Sequence, residues 1–248
     1  TADREISLIT INDKSFAVTP DEGYVEWSFN VEKDAVYHIT AVWANVAGKG
    51  LDIIRTVTVD GEIPFDGMNS IYFRRTWKNT GEIYYDSAGN EYSKKPEEEL
   101  TVQSSDFYSL TDYYPGGYSI ALKAGRHTVR FTSVQEPMAI NSIILSAREE
   151  RKSYNQVKKE YEASGYEPVS ADISPIVIEG ENAKYFSKST LRPLADRSSP
   201  AVSPYDTLKK RLNTVGGSGW NEAAQWIEWD FSVEKAGLYE VALHAKQD

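Results

Sequence analysis

The sequence predicts a mainly β protein built as a β-sandwich, and three observations carry that expectation. Residues 25–44 (VEWSFNVEKDAVYHITAVWA) return as residues 227–246 (IEWDFSVEKAGLYEVALHAK) at a constant offset of 202, with strand-type alternation in both copies. Up to residue 147 no stretch shows the 3.6-residue apolar period of a helix, whereas short alternating runs separated by turn residues recur. Finally, the 16 Tyr, 6 Trp and 8 Phe against 2 Met are the residue types that pleated strands favour.

The elements follow in order. In the first copy Val25, Trp27, Phe29 and Val31 point one way and Glu26, Ser28 and Asn30 the other, which is a half-buried strand. Glu32-Lys33-Asp34-Ala35 makes a turn, and a second alternating strand carries Tyr37, Ile39 and Ala41, so the unit reads as a β-hairpin. Trp27 and its counterpart Trp229 lie on the apolar face and are expected in the core. Arg55–Asp60 is a strand closed by an Asp60-Gly61 turn. Gly117–Lys123 and Arg126–Val134 flank a Lys-Ala-Gly turn and read as another hairpin, and Ala139–Ala147 is the last strand. Residues 79–112 are polar, and an excursion of that length is usually functional or mobile.

From Arg148 the pattern changes. Tyr154, Val157 and Tyr161 form one apolar stripe among mixed charges, predicting a linker helix that Gly165 stops. The second copy starts near Asp172. The expected organisation is a β-sandwich module over 1–147, a helical linker over 148–170 and the N-terminal part of a second module over 171–248. After Trp27 the first module uses about 120 further residues, whereas nineteen follow Trp229, so the second sandwich is expected to be incomplete and the chain a fragment. Strands Gln225–Val233 and Leu238–Lys246 then lack partners unless something covers them.

Composition narrows the function. Of 248 residues 40% are hydrophobic, enough for a packed core, and the net charge of −10 is spread along the chain. No segment concentrates Lys and Arg, which argues against a nucleic-acid partner, and no apolar run reaches the length of a transmembrane segment. Cysteine is absent, which excludes disulfides, thiolate zinc sites and a cysteine nucleophile. His38, His127 and His244 sit on separate strands without metal-ligand spacing, and Gly216-Gly217-Ser218-Gly219-Trp220 fails the GxSxG pattern at its last position. Gly48 and Gly50 lack the context of a phosphate loop. The expectation is a protein without enzymatic activity.

Several phrases resemble a known family. They are Gly-Leu-Asp-Ile-Ile-Arg-Thr (50–56), Val-Asp-Gly-Glu-Ile-Pro-Phe (59–65), Phe-Arg-Arg-Thr-Trp (73–77) and Gln-Glu-Pro-Met-Ala-Ile (135–140) in the first copy. In the second they are Ile-Glu-Gly-Glu-Asn-Ala (178–183), Asp-Arg-Ser-Ser-Pro (196–200), Arg-Leu-Asn-Thr-Val-Gly-Gly (211–217) and Gln-Trp-Ile-Glu-Trp (225–229). Together they resemble the galactose-binding-like, carbohydrate-binding-module-type jelly-roll sandwiches of bacterial extracellular solute-binding proteins that serve sugar ABC transporters. The resemblance implies an oligo- or polysaccharide partner and the remainder of a larger transporter receptor chain. It also implies an extracellular, cell-surface place in a Gram-positive lipoprotein context. The two-lobed solute-binding domain itself is not in this sequence.

Sugar binding needs flat aromatic faces for the C–H side of a pyranose and fixed polar groups for its hydroxyls. The candidates are Trp43, which leads into the Gly48–Gly50 loop, and Tyr72, Arg74, Arg75 and Trp77 in the first copy. Arg197, Asn213 and Trp220 are the candidates in the second. Against them stands packing of Tyr72 and Trp77 across the sandwich, pairing of Arg74 and Arg75 with the acidic surface, and loop-fixing hydrogen bonds for Asp196 and Asn213. No cofactor is required. Glu179 and Glu181 resemble the Glu-x-Glu motif that supplies oxygen ligands in related modules, and hard oxygens suit a structural Ca²⁺. The matching Glu5–Thr10 stretch of the first copy lacks that motif, and Asp86–Glu91 is too short for an EF-hand loop. The favoured function is non-catalytic carbohydrate recognition in a sugar-uptake protein. The alternatives are a purely structural sandwich packed on the solute-binding domain and an accessory module of a glycoside hydrolase.

Overall fold

A computed structural model describes residues 1–3, 5–110, 116–147, 152–170 and 173–246. The helix start expected at Arg148 and the second-copy start near Asp172 lie outside the described residues.

The first copy is a two-layer sandwich. One layer contains β1 (Ser7–Ile11), β2 (Lys14–Thr19) and β4 (Ala35–Asn45), together with β11 (Val102–Asp106), β12 (Ser119–Leu122) and β14 (Met138–Ser146). Its order is β1-β2-β14-β4-β11, with β12 also paired to β4. The other layer contains β3 (Tyr24–Val31), β5 (Ile53–Val59), β6 (Ile71–Phe73) and β13 (Gly125–Gln135), in the order β3-β13-β5-β6. All these pairings are antiparallel.

The two expected hairpins are not hairpins. β3 pairs with β13 and β4 with β14, β11 and β12, so the turn at Glu32–Asp34 carries the chain from one layer to the other. The Lys-Ala-Gly turn likewise links β12 in one layer to β13 in the other. Alternation specifies which face of a strand is buried and leaves its neighbour open. The apolar faces of β3 and β4 therefore meet across the core instead of lying side by side. Asp60-Gly61, in contrast, is a true two-residue turn: both residues have positive φ (53° and 86°), and Val59 and Glu62 exchange backbone hydrogen bonds.

Between the layers lies an aromatic core. Trp43 meets Phe73 edge-on at 5.3 Å, and Phe107 and Trp27 each meet Phe131 edge-on, at 5.6 and 5.5 Å. Such edge contacts place the positive ring rim against a negative face. Arg55 also points inward on β5, where its alternation partners are Ile53, Val57 and Val59. Its two Nη atoms donate to the carbonyls of Ile54 and Gln135 and the hydroxyl of Thr19, its Nε has no partner among the described residues, and burial pushes its pKa down to about 9.

The excursion over 79–112 carries its own strands. β7 (Thr76–Lys78) leads into it, and β8 (Ile83–Tyr85), β9 (Glu91–Ser93) and β10 (Glu97–Glu99) lie within it ahead of β11, which completes the main layer. The linker helix α1 (Tyr154–Ala163) is shorter than expected. Ser153 caps it with Gln156 in a reciprocal capping box, and Gly165 follows its end with φ 82°. None of its residues is buried, so the predicted stripe packs on no core.

Strand pairing in the second copy is reduced to β15 (Tyr185–Phe186), β16 (Pro193–Leu194), β17 (Thr214–Val215) and β18 (Ile227–Glu228). The longer strands expected at Gln225–Val233 and Leu238–Lys246 are not formed, because most of that backbone meets no ladder among the described residues. The repeat nevertheless survives in three dimensions. The Tyr37 hydroxyl donates to the carbonyl of Lys33 at 2.8 Å, and the Tyr239 hydroxyl donates to that of Lys235 at 2.6 Å, the same bond 202 residues on. Strands of both copies also share one sheet, in the order β10-β7-β15-β18.

Candidate functional site

The Phe-Arg-Arg-Thr-Trp phrase crosses one end of the sandwich, between β6 and β7, and its alternation sends Arg74 and Arg75 into different surroundings. Arg75 is 1% exposed. Its Nε donates to the Leu51 carbonyl and one Nη to that of Val46, each at 2.8 Å. The guanidinium also binds Glu98 and, at 2.6 Å, the equally buried Glu136. Glu136 in turn accepts from the backbone N–H of Lys49 at 2.8 Å. The Gly48–Gly50 loop is thereby tied down over the arginine. A Cβ at Gly48 would lie 2.1 Å from Glu136 Oε2, so only glycine lets the backbone approach so closely.

Arg74 faces the second copy. It binds Asp52 at 2.8 Å, Glu222 at 2.9 Å and the Ala223 carbonyl at 3.0 Å. Burial raises the Asp52 carboxyl above its ordinary range although Arg74 and Lys188 oppose the shift. A hydrogen bond from Lys188, assisted by Arg74, holds the Glu222 carboxyl low. Desolvation pushes the half-buried Tyr108 nearby up to about 12.

These contacts frame a cleft of about 240 Å³ lined by Gly50, Leu51, Asp52, Arg75, Trp77, Gln135, Lys188 and Ser189. Its aromatic wall is Trp77, half-buried against a small core of Ala183, Phe186 and Leu191. Gly50, with φ 76°, brings its backbone over the indole, where a Cβ would stand 3.2 Å from the ring. Asp52, Gln135, Lys188 and Ser189 supply donors and acceptors beside that ring. The volume suits one sugar ring better than a drug-sized ligand. A second cavity, about 230 Å³ between the layers, is lined almost wholly by apolar residues such as Trp27, Phe29, Ile143 and Leu145, and offers a sugar little to bond.

The structure separates the other candidates. Trp43 is fully buried, with its indole N–H donating to Ser105 Oγ at 3.0 Å, so it offers no face to a ligand. Tyr37, Ile39, Ala41 and Trp43 share one face of β4, and Trp43 continues the core stripe instead of ending it. Arg75 and the Nη atoms of Arg74 act here as structural clamps, since protein carbonyls and carboxylates take those donors, whereas Arg74 Nε is buried without a partner among the described residues. Tyr72 is half-buried on β6 and lines neither cavity. Asn213 spends its amide on the backbone of Asp196 and Pro204, which is the loop-fixing role. Arg197 is exposed and donates to the Thr207 carbonyl.

Trp220 remains open. It is 48% exposed and follows Gly216 and Gly217, both with positive φ, with its ring against Gly216. The same loop continues to Glu222, which binds the Lys188 of the cleft.

Glu179 caps a short 3-10 turn at Gly180–Asn182, and Glu181 lies within it. Glu181 Oε2 is buried without a hydrogen-bond partner among the described residues. Burial, reinforced by the charges of Glu179 and Glu91, raises its pKa. An orphaned buried carboxylate oxygen among other carboxylates fits a hard cation. No three His, Asp or Glu side chains converge into a cage among the described residues, so backbone oxygens would have to complete the ligand set. No described helix is long and apolar enough to cross a membrane.

Sequence reasoning missed Lys188 and Glu222, single charged residues that carry no motif, and gave no role to Glu136 although it lies in the Gln-Glu-Pro-Met-Ala-Ile phrase. It also missed the exposed Tyr84, stacked on Tyr92 at 5.4 Å across the β8–β9 pair.

No protein-family model matches the chain, and no curated protein matches it. Among solved structures, it is similar to the native structure of a family 35 carbohydrate binding module from Clostridium thermocellum. That match has 16% identity over 58% of this chain and 90% of that one, with a TM-score of 0.35. A second family 35 module from Clostridium thermocellum aligns at 15% identity over 59% and 91%, TM-score 0.33. A family GH115 4-O-methyl-alpha-glucuronidase with specificity for decorated arabinogalactans aligns at 12% identity over 59% of this chain and 16% of that one, TM-score 0.32.

Proposed function

We propose that the protein is a non-catalytic carbohydrate-binding region and that its glycan sits in the cleft beside Trp77. The observation that carries this reading is the lining of that cleft, where one indole lies beside Asp52, Gln135, Lys188 and Ser189. Trp77 supplies the apolar face for the C–H side of a pyranose. The ammonium of Lys188 and the amide of Gln135 donate to hydroxyls or to a sugar carboxylate, and Asp52 accepts. Trp220, in the loop that anchors Lys188, extends the platform to a neighbouring residue of the glycan.

Glu179 and Glu181 hold a structural Ca²⁺ in this reading. The ion would neutralise the buried Glu181 carboxylate and fix the turn next to β15, the strand that pairs with β7. Residues 1–147 form the complete module, 148–170 the linker and 171–248 the start of a second module. In this reading the region is part of the extracellular solute-binding protein of a sugar ABC transporter, which the resemblance of the paired phrases supports.

A second reading has its own observation. Trp43, Arg74 and Arg75 are buried in internal contacts, as expected of a sandwich that only packs against its neighbours. A glycan array probed with the chain in calcium, and again in chelator, separates the two. Selective glycan binding supports recognition, and silence in both conditions supports the structural reading.

A further inference from the structure

We infer that β18 is an acceptor edge, and that its occupant is an antiparallel strand carrying an arginine opposite Glu228 with apolar residues on either side of that arginine. This is independent of where the glycan binds.

The argument starts from backbone direction. In the first copy Glu26 and Thr1 exchange backbone hydrogen bonds on one side of β3, with N···O distances of 2.7 and 2.8 Å. Successive residues of a strand direct their N–H and C=O to opposite edges, so Val25, Trp27 and Phe29 address the other side, where β13 lies. In the second copy the Glu228 carbonyl accepts from Lys184 N–H at 2.8 Å, and Tyr185 faces Glu228. β15 thus stands where the N-terminal residues stand beside β3. Ile227 and Trp229 address the opposite edge, and no strand lies there among the described residues.

The side chains repeat the receptor as well. Directly opposite Glu26 is Arg130, whose Nε donates to the carboxylate at 2.9 Å while its guanidinium carbon lies 4.1 Å from the centre of the Tyr24 ring. The offset of 202 puts Glu228 where Glu26 is and Trp226 where Tyr24 is. Carboxylate and aromatic ring therefore recur as a pair, and no hydrogen bond or ion pair engages the Glu228 carboxylate among the described residues. An arginine held between a carboxylate and an indole is favoured by charge and by cation–π attraction together. Beyond β18 the apolar alternation continues without cover, with Phe231 63% and Val241 94% exposed. In the first copy Val129 and Phe131 flank Arg130 opposite Trp27 and Val25, which defines the apolar positions of the occupant.

The test uses the full chain and a synthetic strand with the sequence of Gly125–Gln135. Bound peptide should slow amide exchange at Ile227, Trp229 and Phe231 by about tenfold, and the peptide with Arg130→Glu should lose that protection. Because the chain has no cysteine, register can be read by cross-linking. Asp230→Cys should form a disulfide with a peptide bearing Thr128→Cys in preference to one bearing Arg130→Cys. Unchanged exchange, protection that survives Arg130→Glu, or a disulfide only between two copies of the chain would each overturn the assignment.

Discussion

Arg75 shows how a residue chosen for one role serves another. A guanidinium that looks suited to a ligand is consumed by Val46, Leu51, Glu98 and Glu136, and the loop that could have framed a binding site is fastened by it. Removing it as Arg75→Met leaves Glu136 charged and buried, and the expected loss is about 3–5 kcal/mol in denaturant unfolding. Adding Glu136→Gln should recover part of that loss, because the uncompensated charge disappears. Trp43→Ala opens a cavity among Phe73 and its neighbours and should cost a similar ~3–5 kcal/mol. Its burial was legible in principle, since Tyr37, Ile39, Ala41 and Trp43 keep one period of two. Arg55 was not legible: an arginine on that apolar face becomes interpretable only once Thr19 and the Gln135 carbonyl are seen to meet it.

Among the elements, the sequence disclosed strands better than their partners. Most expected strands of the first copy are present within a few residues, and Asp60-Gly61 turns as its residue types require. The arches at Glu32–Asp34 and Lys123–Ala124 were read as hairpins because local alternation carries no record of which layer receives the next strand. The strands within 79–112 escaped notice because elements of three to five residues are too short to establish a period, and β10 consists of glutamate alone.

The Asp60 turn gives a pH test. The hydrogen bond that His127 donates to the Asp60 carboxylate, with help from the Lys123 carbonyl, raises the His127 pKa. Against a desolvation cost, hydrogen bonds from His127 and Thr128 lower that of Asp60. The His127 contribution is complete below its unfolded pKa near 6.5 and fades as pH rises through the raised folded value. The Asp60 contribution is present above about 3.8 and fades as pH falls through the lowered value. His127→Gln should therefore lower stability by a modest ~0.2–1 kcal/mol near pH 5, with the difference shrinking as pH rises through the raised folded value.

For the molecule as a whole, the second copy is fastened to the first through the excursion the sequence left unassigned. Arg211 binds Glu91, Ser93 donates to the Pro193 carbonyl, Asn79 donates to that of Ala183, and β15 pairs with β7. The cleft beside Trp77 exists only because Lys188 and Ser189 arrive from the second copy. Glu222→Gln should weaken the hold of Arg74 and Lys188 and speed hydrogen exchange over 185–194 while leaving the β13–β5 ladder protected. Calcium should raise the melting temperature of the native chain and leave Glu181→Gln unchanged, since binding to the folded state alone stabilises it. No local pattern announces a cleft assembled from two copies that far apart in sequence, which is why the sequence singled out Trp77 as a candidate and not Lys188.

The most direct measurement is isothermal titration calorimetry of the chain in calcium with the glycan selected on the array, repeated on Trp77→Ala with circular dichroism to confirm the fold. If the cleft is the site, affinity falls by about tenfold or more in the variant, as loss of a central aromatic wall requires. Undiminished binding by a folded Trp77→Ala protein, or no heat from the native chain with any glycan, would contradict it.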